Sequence, residues 1–131
     1  MTTSITNVRV NVQPRGKVIL CLSGEVTTLR VRRMLLERFG YKVWSTNSVE
    51  DVDVIAKANC PDMLLMDNSF PNVNIEQIAE RAKALCPDLV AVALLPFFAV
   101  HNSSNSAIDR FVARDDAPDL MIAQIQELLH E

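Results

Sequence analysis

One carboxylate stands out by its setting. Asp67 closes the apolar run Met63-Leu64-Leu65-Met66 and is followed by Asn68, Ser69 and then Pro71. An apolar run that short, bounded by turn residues, predicts a strand buried on both faces of a parallel sheet. Open α/β sheets gather ligands and chemistry at the carboxyl ends of their strands, which makes Asp67 the first candidate functional residue. A carboxylate so placed can help hold a hard cation or pair with a basic side chain. It can also do no more than cap a turn or meet a helix N-terminus.

The other reactive side chains form no recognisable constellation. Cys21 falls inside an apolar run and reads as buried and inert, while Cys60 and Cys86 each precede Pro-Asp and a further apolar run. Three cysteines with no CxxC spacing fit reduced thiols better than a disulfide framework. His101 and His130 lack ligand spacing and neither pairs with a Ser or Cys in a catalytic pattern, so no metal and no nucleophilic triad is expected. Gly24 stands alone after the first apolar run in a chain of three glycines, too few for a phosphate-cradling loop.

Composition narrows the class further. A chain of 131 residues, 49% of them hydrophobic, is expected to form one globular domain. The net charge of −3 and the lack of a basic stripe argue against a nucleic-acid partner. Arg30, Arg32, Arg33 and Arg38 share one helical pattern and read as its solvated face. No run is long enough for a membrane span and the N-terminus is not signal-like, so a cytoplasmic protein without a membrane partner is expected.

Several elements must position Asp67. Residues 1–16 read as an N-terminal extension in which Val8, Val10 and Val12 alternate with polar residues, set off by Pro14 and Gly16. Such a segment can add an edge strand, dock on a neighbour or stay mobile, and mobility is the default for a terminus. Strands are predicted at 18–22, 41–45, the Met63 run, 89–95 and 111–113. The first helix is placed at about 26–39, with Leu29, Val31, Met34, Leu35 and Phe39 inward and Gly40 as its stop. Ser48, with Asp51 three residues on, is expected to cap the second, with Val52, Ile55 and Ala56 inward. Asn74 starts the third, whose inner face is Ile75, Ile78, Ala79, Ala82 and Leu85. Asp116 caps the last, with Leu120, Met121, Ile125, Leu128 and Leu129 inward. Between them, residues 96–106 read as irregular. Strands alternating with helices predict an α/β, doubly wound, five-stranded parallel sheet of flavodoxin-like order 2-1-3-4-5 with helices on both faces. That order brings residues 23–24, 67, 95 and 114 to one sheet edge.

Residues 17–130 resemble the receiver domain of bacterial response regulators, the CheY-like family. The resemblance lies in Ile-Leu-Cys-Leu-Ser-Gly-Glu at 19–25, in Met-Leu-Leu-Met-Asp-Asn-Ser-Phe-Pro at 63–71, and in Phe111 with Arg114 three residues later. It implies a receiver-like domain at 17–131, a phosphoacceptor role for Asp67 and a switch-aromatic role for Phe111. The family's two metal-binding carboxylates fall on Ser23 and Gly24, with Glu25 beside them. Its hydroxyl position falls on Leu95 or Pro96, its Lys on Arg114, and the Pro after that Lys on Asp115.

Those departures weaken the chemistry. Mg²⁺ needs one or two carboxylates with waters in octahedral geometry, and Asp67 with a hydroxyl and carbonyls is a poor site, so no cofactor is expected. A guanidinium suits a fixed pair with a carboxylate, so Arg114 and Asp67 are expected to form a standing ion pair. The implied function is a stand-alone receiver-like module of two-component phosphorelay signalling. It would act by protein–protein interaction on a histidine kinase or an output protein, not as an enzyme, with impaired Mg²⁺-dependent phosphorylation. The partner face implied by the family includes the 96–106 segment, where Phe97, Phe98 and Val100 suggest a docking patch. The alternatives are a working phosphoacceptor at Asp67 and a small-ligand domain on a flavodoxin-like scaffold. Oligomeric state stays open.

Overall fold

The computed structural model describes residues 16–71, 73–96, 106–114 and 118–130. Outside them lie the Val8–Val12 alternation, Phe97, Phe98, Val100 and His101, and the Asp116 cap.

Five strands form one parallel sheet: β1 (Val18–Leu22), β2 (Lys42–Thr46), β3 (Met63–Asp67), β4 (Val90–Leu95) and β5 (Arg110–Ala113). Their order is β2-β1-β3-β4-β5, the expected doubly wound arrangement. Four helices are seen among the described residues: α1 (Val26–Arg38), α2 (Val49–Ala58), α3 (Ile75–Leu85) and α4 (Pro118–His130). None is long and apolar enough to cross a membrane.

The sheet is covered on both faces because alternate residues of each strand are apolar on both sides. Leu20, Leu22, Leu64 and Met66 face α2 and α3, packing on Val52, Ala56, Ile78 and Ala82. Ile19, Cys21, Met63 and Leu65 face α1 and α4, packing on Leu29, Leu36, Ile122 and Ile125. β3 lies in the middle of the sheet, and every one of its residues is buried. Removing one of its large side chains would cost about 2–5 kcal/mol, since a central strand cannot collapse onto the gap.

Helix ends follow local chemistry, with one departure from expectation. Gly40, at φ 95°, ends α1 as its αL stop, its N–H donating to the Glu37 carbonyl at 3.0 Å. Asn74 caps α3, its Oδ1 accepting from the N–H groups of Glu76 at 2.9 Å and Gln77 at 3.4 Å. Ser48 precedes α2 but does not cap it through its side chain. Its hydroxyl donates instead to Glu50, and Asp51 accepts from the Thr46 hydroxyl at 2.9 Å.

The inner face of α1 also differs. The buried stripe is Leu29, Arg32 and Leu36, while Val31, Met34 and Phe39 are exposed. Of the residues read as inward, Leu29 is buried and Leu35 packs partly against the core, whereas the other three point outward. Arg32 therefore corrects the solvated-face reading of the arginines. On α4, Ile122 takes the buried place expected for Leu120, and on α3 Leu85 lies at the surface.

The cysteines need a further correction. Cys60 and Cys86 form a disulfide, with Cα atoms 5.7 Å apart, and only Cys21 is free among the described cysteines. The repeated Cys-Pro-Asp turn explains it: successive right-handed crossovers place α2 and α3 side by side on one face, so equivalent residues at their ends meet. The spacing is that of an ordinary disulfide.

Candidate functional site: the Asp67 pocket

Asp67 sits at the carboxyl end of β3 and is 1% exposed. A carboxylate buried that deeply needs partners for both oxygens. Its Oδ2 accepts from Arg32 Nη1 at 2.9 Å, and this ion pair is buried from both sides. Its Oδ1 accepts from the Ser69 N–H at 3.0 Å and from the Ser69 hydroxyl at 2.5 Å.

Ser69 links Asp67 to the first strand. The Ser69 Oγ accepts from the Gly24 N–H at 2.6 Å and lies 3.3 Å from the Ser23 Oγ. The Ser69 proton is directed at Asp67, so the Ser23 hydroxyl is the donor in that contact. Ser23 in turn accepts from the Glu25 N–H at 3.1 Å. A chain of oriented dipoles thus runs from the start of α1 to Asp67. Burial pushes the Asp67 carboxyl upward, but the Ser69 hydroxyl with the Ser23 hydroxyl donating behind it, the Ser69 N–H and the Arg32 charge outweigh it and hold it below the usual carboxylate value. Asp67 is a carboxylate with both oxygens hydrogen-bonded.

The topology brings together the strand ends that the sequence predicted. Ser23 is fully buried beside Asp67, whereas Glu25 is exposed and accepts from the Thr28 hydroxyl at 2.9 Å in the first turn of α1. A Cβ added to Gly24 would stand 3.2 Å from the Ser69 Oγ, so Ser69 fills the space a longer residue would need. Leu95 is buried, and its carbonyl accepts from the Arg114 N–H at 2.8 Å. Phe111 is half-buried against the α2/α3 core. Arg114 does not form the expected pair with Asp67: it donates to Asn68 Oδ1 at 3.3 Å, from an exposed position. Asp67 takes Arg32 instead, because the α1 stripe aims that guanidinium straight down at the end of β3.

Arg32 is thus the pocket residue that the sequence pattern did not point to. The available signal was the Leu29, Arg32, Leu36 spacing, an inner-face stripe with one cation in it, above a strand ending in a carboxylate. Arg32 and Arg114 also line a cleft of about 310 Å³ between α1 and α4, otherwise walled mainly by apolar residues such as Leu35 and Met121.

A Mg²⁺ ion does not fit these residues. The nearest carboxylate oxygens at Asp67 are committed to Arg32 and Ser69, Ser23 and Gly24 add no carboxylate, and Glu25 is engaged elsewhere. No group of three or more His, Cys, Asp or Glu suited to a metal exists among the described residues. A guanidinium already occupies the place of positive charge at Asp67.

The architecture is that of response-regulator receiver domains. A CheY-like receiver domain protein from Methanospirillum hungatei superposes with a TM-score of 0.75 at 19% identity, covering 87% of this chain and 94% of that one. One from Methylobacillus flagellatus gives 0.75 at 15% identity over 86% and 98%. A response regulator of Thermotoga maritima, in complex with Mg(2+)-BeF, gives 0.74 at 18% identity over 86% and 98%. No protein-family model and no curated protein sequence matches the chain. The likeness is one of fold, and function must be argued from the site.

Proposed function

We propose that this chain is a receiver-type signalling module of a two-component pathway that works by protein–protein interaction, with its acceptor pocket closed by its own side chains. The observation that carries this reading is the double engagement of Asp67, by Arg32 on one oxygen and Ser69 on the other. Phosphoryl transfer to a carboxylate needs a free oxygen and positive charge against the phosphate. Here the cation is spent on the ground-state carboxylate, and the residues that would recruit a metal are Ser23 and Gly24. The module then has no catalysis of its own, and its partner is a histidine kinase or an output protein, met inside the cell. Arg114, joined to Asn68 in the turn after β3, steadies the same pocket from the β5 side.

The test is incubation with acetyl phosphate and Mg²⁺, read by intact mass and peptide mapping. The reading expects no phosphoryl adduct. An Mg²⁺-dependent adduct that the Asp67→Asn variant abolishes would instead establish the working-phosphoacceptor reading.

A further inference from the structure

At the end of the sheet opposite Asp67, the two Cys-Pro-Asp turns lie side by side and their sulfurs are bonded. We propose that Cys60–Cys86 is a site of reversible thiol–disulfide exchange with a small aminothiol, attacked at the Cys60 sulfur. This goes beyond the signalling reading and does not depend on it.

Three observations carry the proposal. The bond is asymmetric in access, with Cys60 exposed and Cys86 only 2% exposed. A surface cleft of about 170 Å³ leads to it, lined by both cysteines and by Asp62 and Asp88, whose charges favour a cationic thiol over an acidic one. Finally, the helices it joins also pack on the sheet, through Val52 and Ala56 on α2 and through Ile78 and Ala82 on α3, so their placement does not rest on the bond alone. Cys21 does not compete: it is fully buried, and burial pushes its thiol up to about 12.

The chemistry balances without an external metal or oxidant. A thiolate attacks Cys60 Sγ, a new S–S bond forms there, and the Cys60–Cys86 bond breaks, leaving Cys86 as a thiolate that takes a proton. A second thiolate attacks the sulfur of the bound small molecule, releasing Cys60 and the small-molecule disulfide. Two thiols are oxidised and two protein thiols are produced; the reverse sequence, starting from the small disulfide, closes the bond. Opening it removes a cross-link spanning 26 residues between the ends of α2 and α3.

The full chain would be equilibrated under native conditions in cysteamine/cystamine buffers of graded ratio, acid-quenched, alkylated in denaturant and weighed. The expected result is one two-electron transition in which Cys60 and Cys86 change together in both directions, with Cys21 reduced throughout. The Cys86→Ser variant is expected to accumulate a cysteamine adduct on Cys60, whereas Cys60→Ser leaves Cys86 unmodified. A bond that stays closed at every ratio in the native protein, a pair that never closes, or equal adducts on the two variants would each overturn the proposal. The wild-type titration stands whether or not the variants fold.

Discussion

Arg32 and Asp67 meet at 2.9 Å beneath α1, both buried, at the carboxyl end of the central strand. The pair joins the helix over one sheet face to the end of the central strand. Its worth is asymmetric: a buried pair adds little over an apolar replacement, but breaking it strands a charge.

Arg32→Ala should therefore destabilise the domain by about 3–5 kcal/mol in urea unfolding. The double variant Arg32→Met with Asp67→Leu should recover most of that loss. Equal losses in single and double variants would mean that Arg32 matters through packing alone.

Acid should weaken the same site. Asp67 is held below its ordinary 3.8, so on acidification the unfolded chain takes up this proton first. Its contribution is present above that ordinary value and disappears as pH falls through the lower folded value. The stability gap between wild type and Asp67→Asn should be flat from neutral pH down to the ordinary carboxylate range and shrink below it. Urea midpoints measured along a pH series would show this.

Filling Gly24 should disturb Ser69 before anything else. In Gly24→Ala the new methyl stands 3.2 Å from the Ser69 Oγ, and the Gly24 N–H to Ser69 bond must lengthen. The expected cost is about 1–3 kcal/mol, as for other overpacked sites. Amide shifts should centre on residues 24 and 69. Ser69→Ala should restore room for the methyl, so the two substitutions together should cost less than the sum of their separate effects.

Much of this was legible in the chain. The β3 run, its Asp67 and the strand order followed from apolar runs and right-handed crossovers, since those patterns depend only on burial and handedness. The partner of Asp67 was not legible. Burying an arginine is favourable only when a carboxylate waits in the right place, and that is a property of two elements 35 residues apart. The same reasoning covers the disulfide: Cys60 and Cys86 become neighbours only once α2 and α3 lie on one face, so counting cysteines pointed the wrong way. Ser69 looked like a turn residue because its role depends on Ser23 and Gly24 at the end of β1.

Cys21 gives a check on the core between α1 and the sheet. It is fully buried and its thiol is raised to about 12, so it should resist iodoacetamide in the native state at pH 8 and react fully in denaturant. Native labelling at Cys21, read by peptide mapping, would mean that the α1/α4 side opens far more readily than its packing implies.

The closed pocket is tested most directly by a Mg²⁺ titration of ¹⁵N-labelled protein, watching the amides of Gly24, Asn68 and Ser69. With Asp67 committed to Arg32 and Ser69, these amides should not shift beyond the general salt effect seen with Na⁺ at matched ionic strength. Saturable shifts confined to those residues and lost in Asp67→Asn would show that Mg²⁺ reaches the carboxylate, contradicting the claim that Arg32 and Ser69 close the pocket.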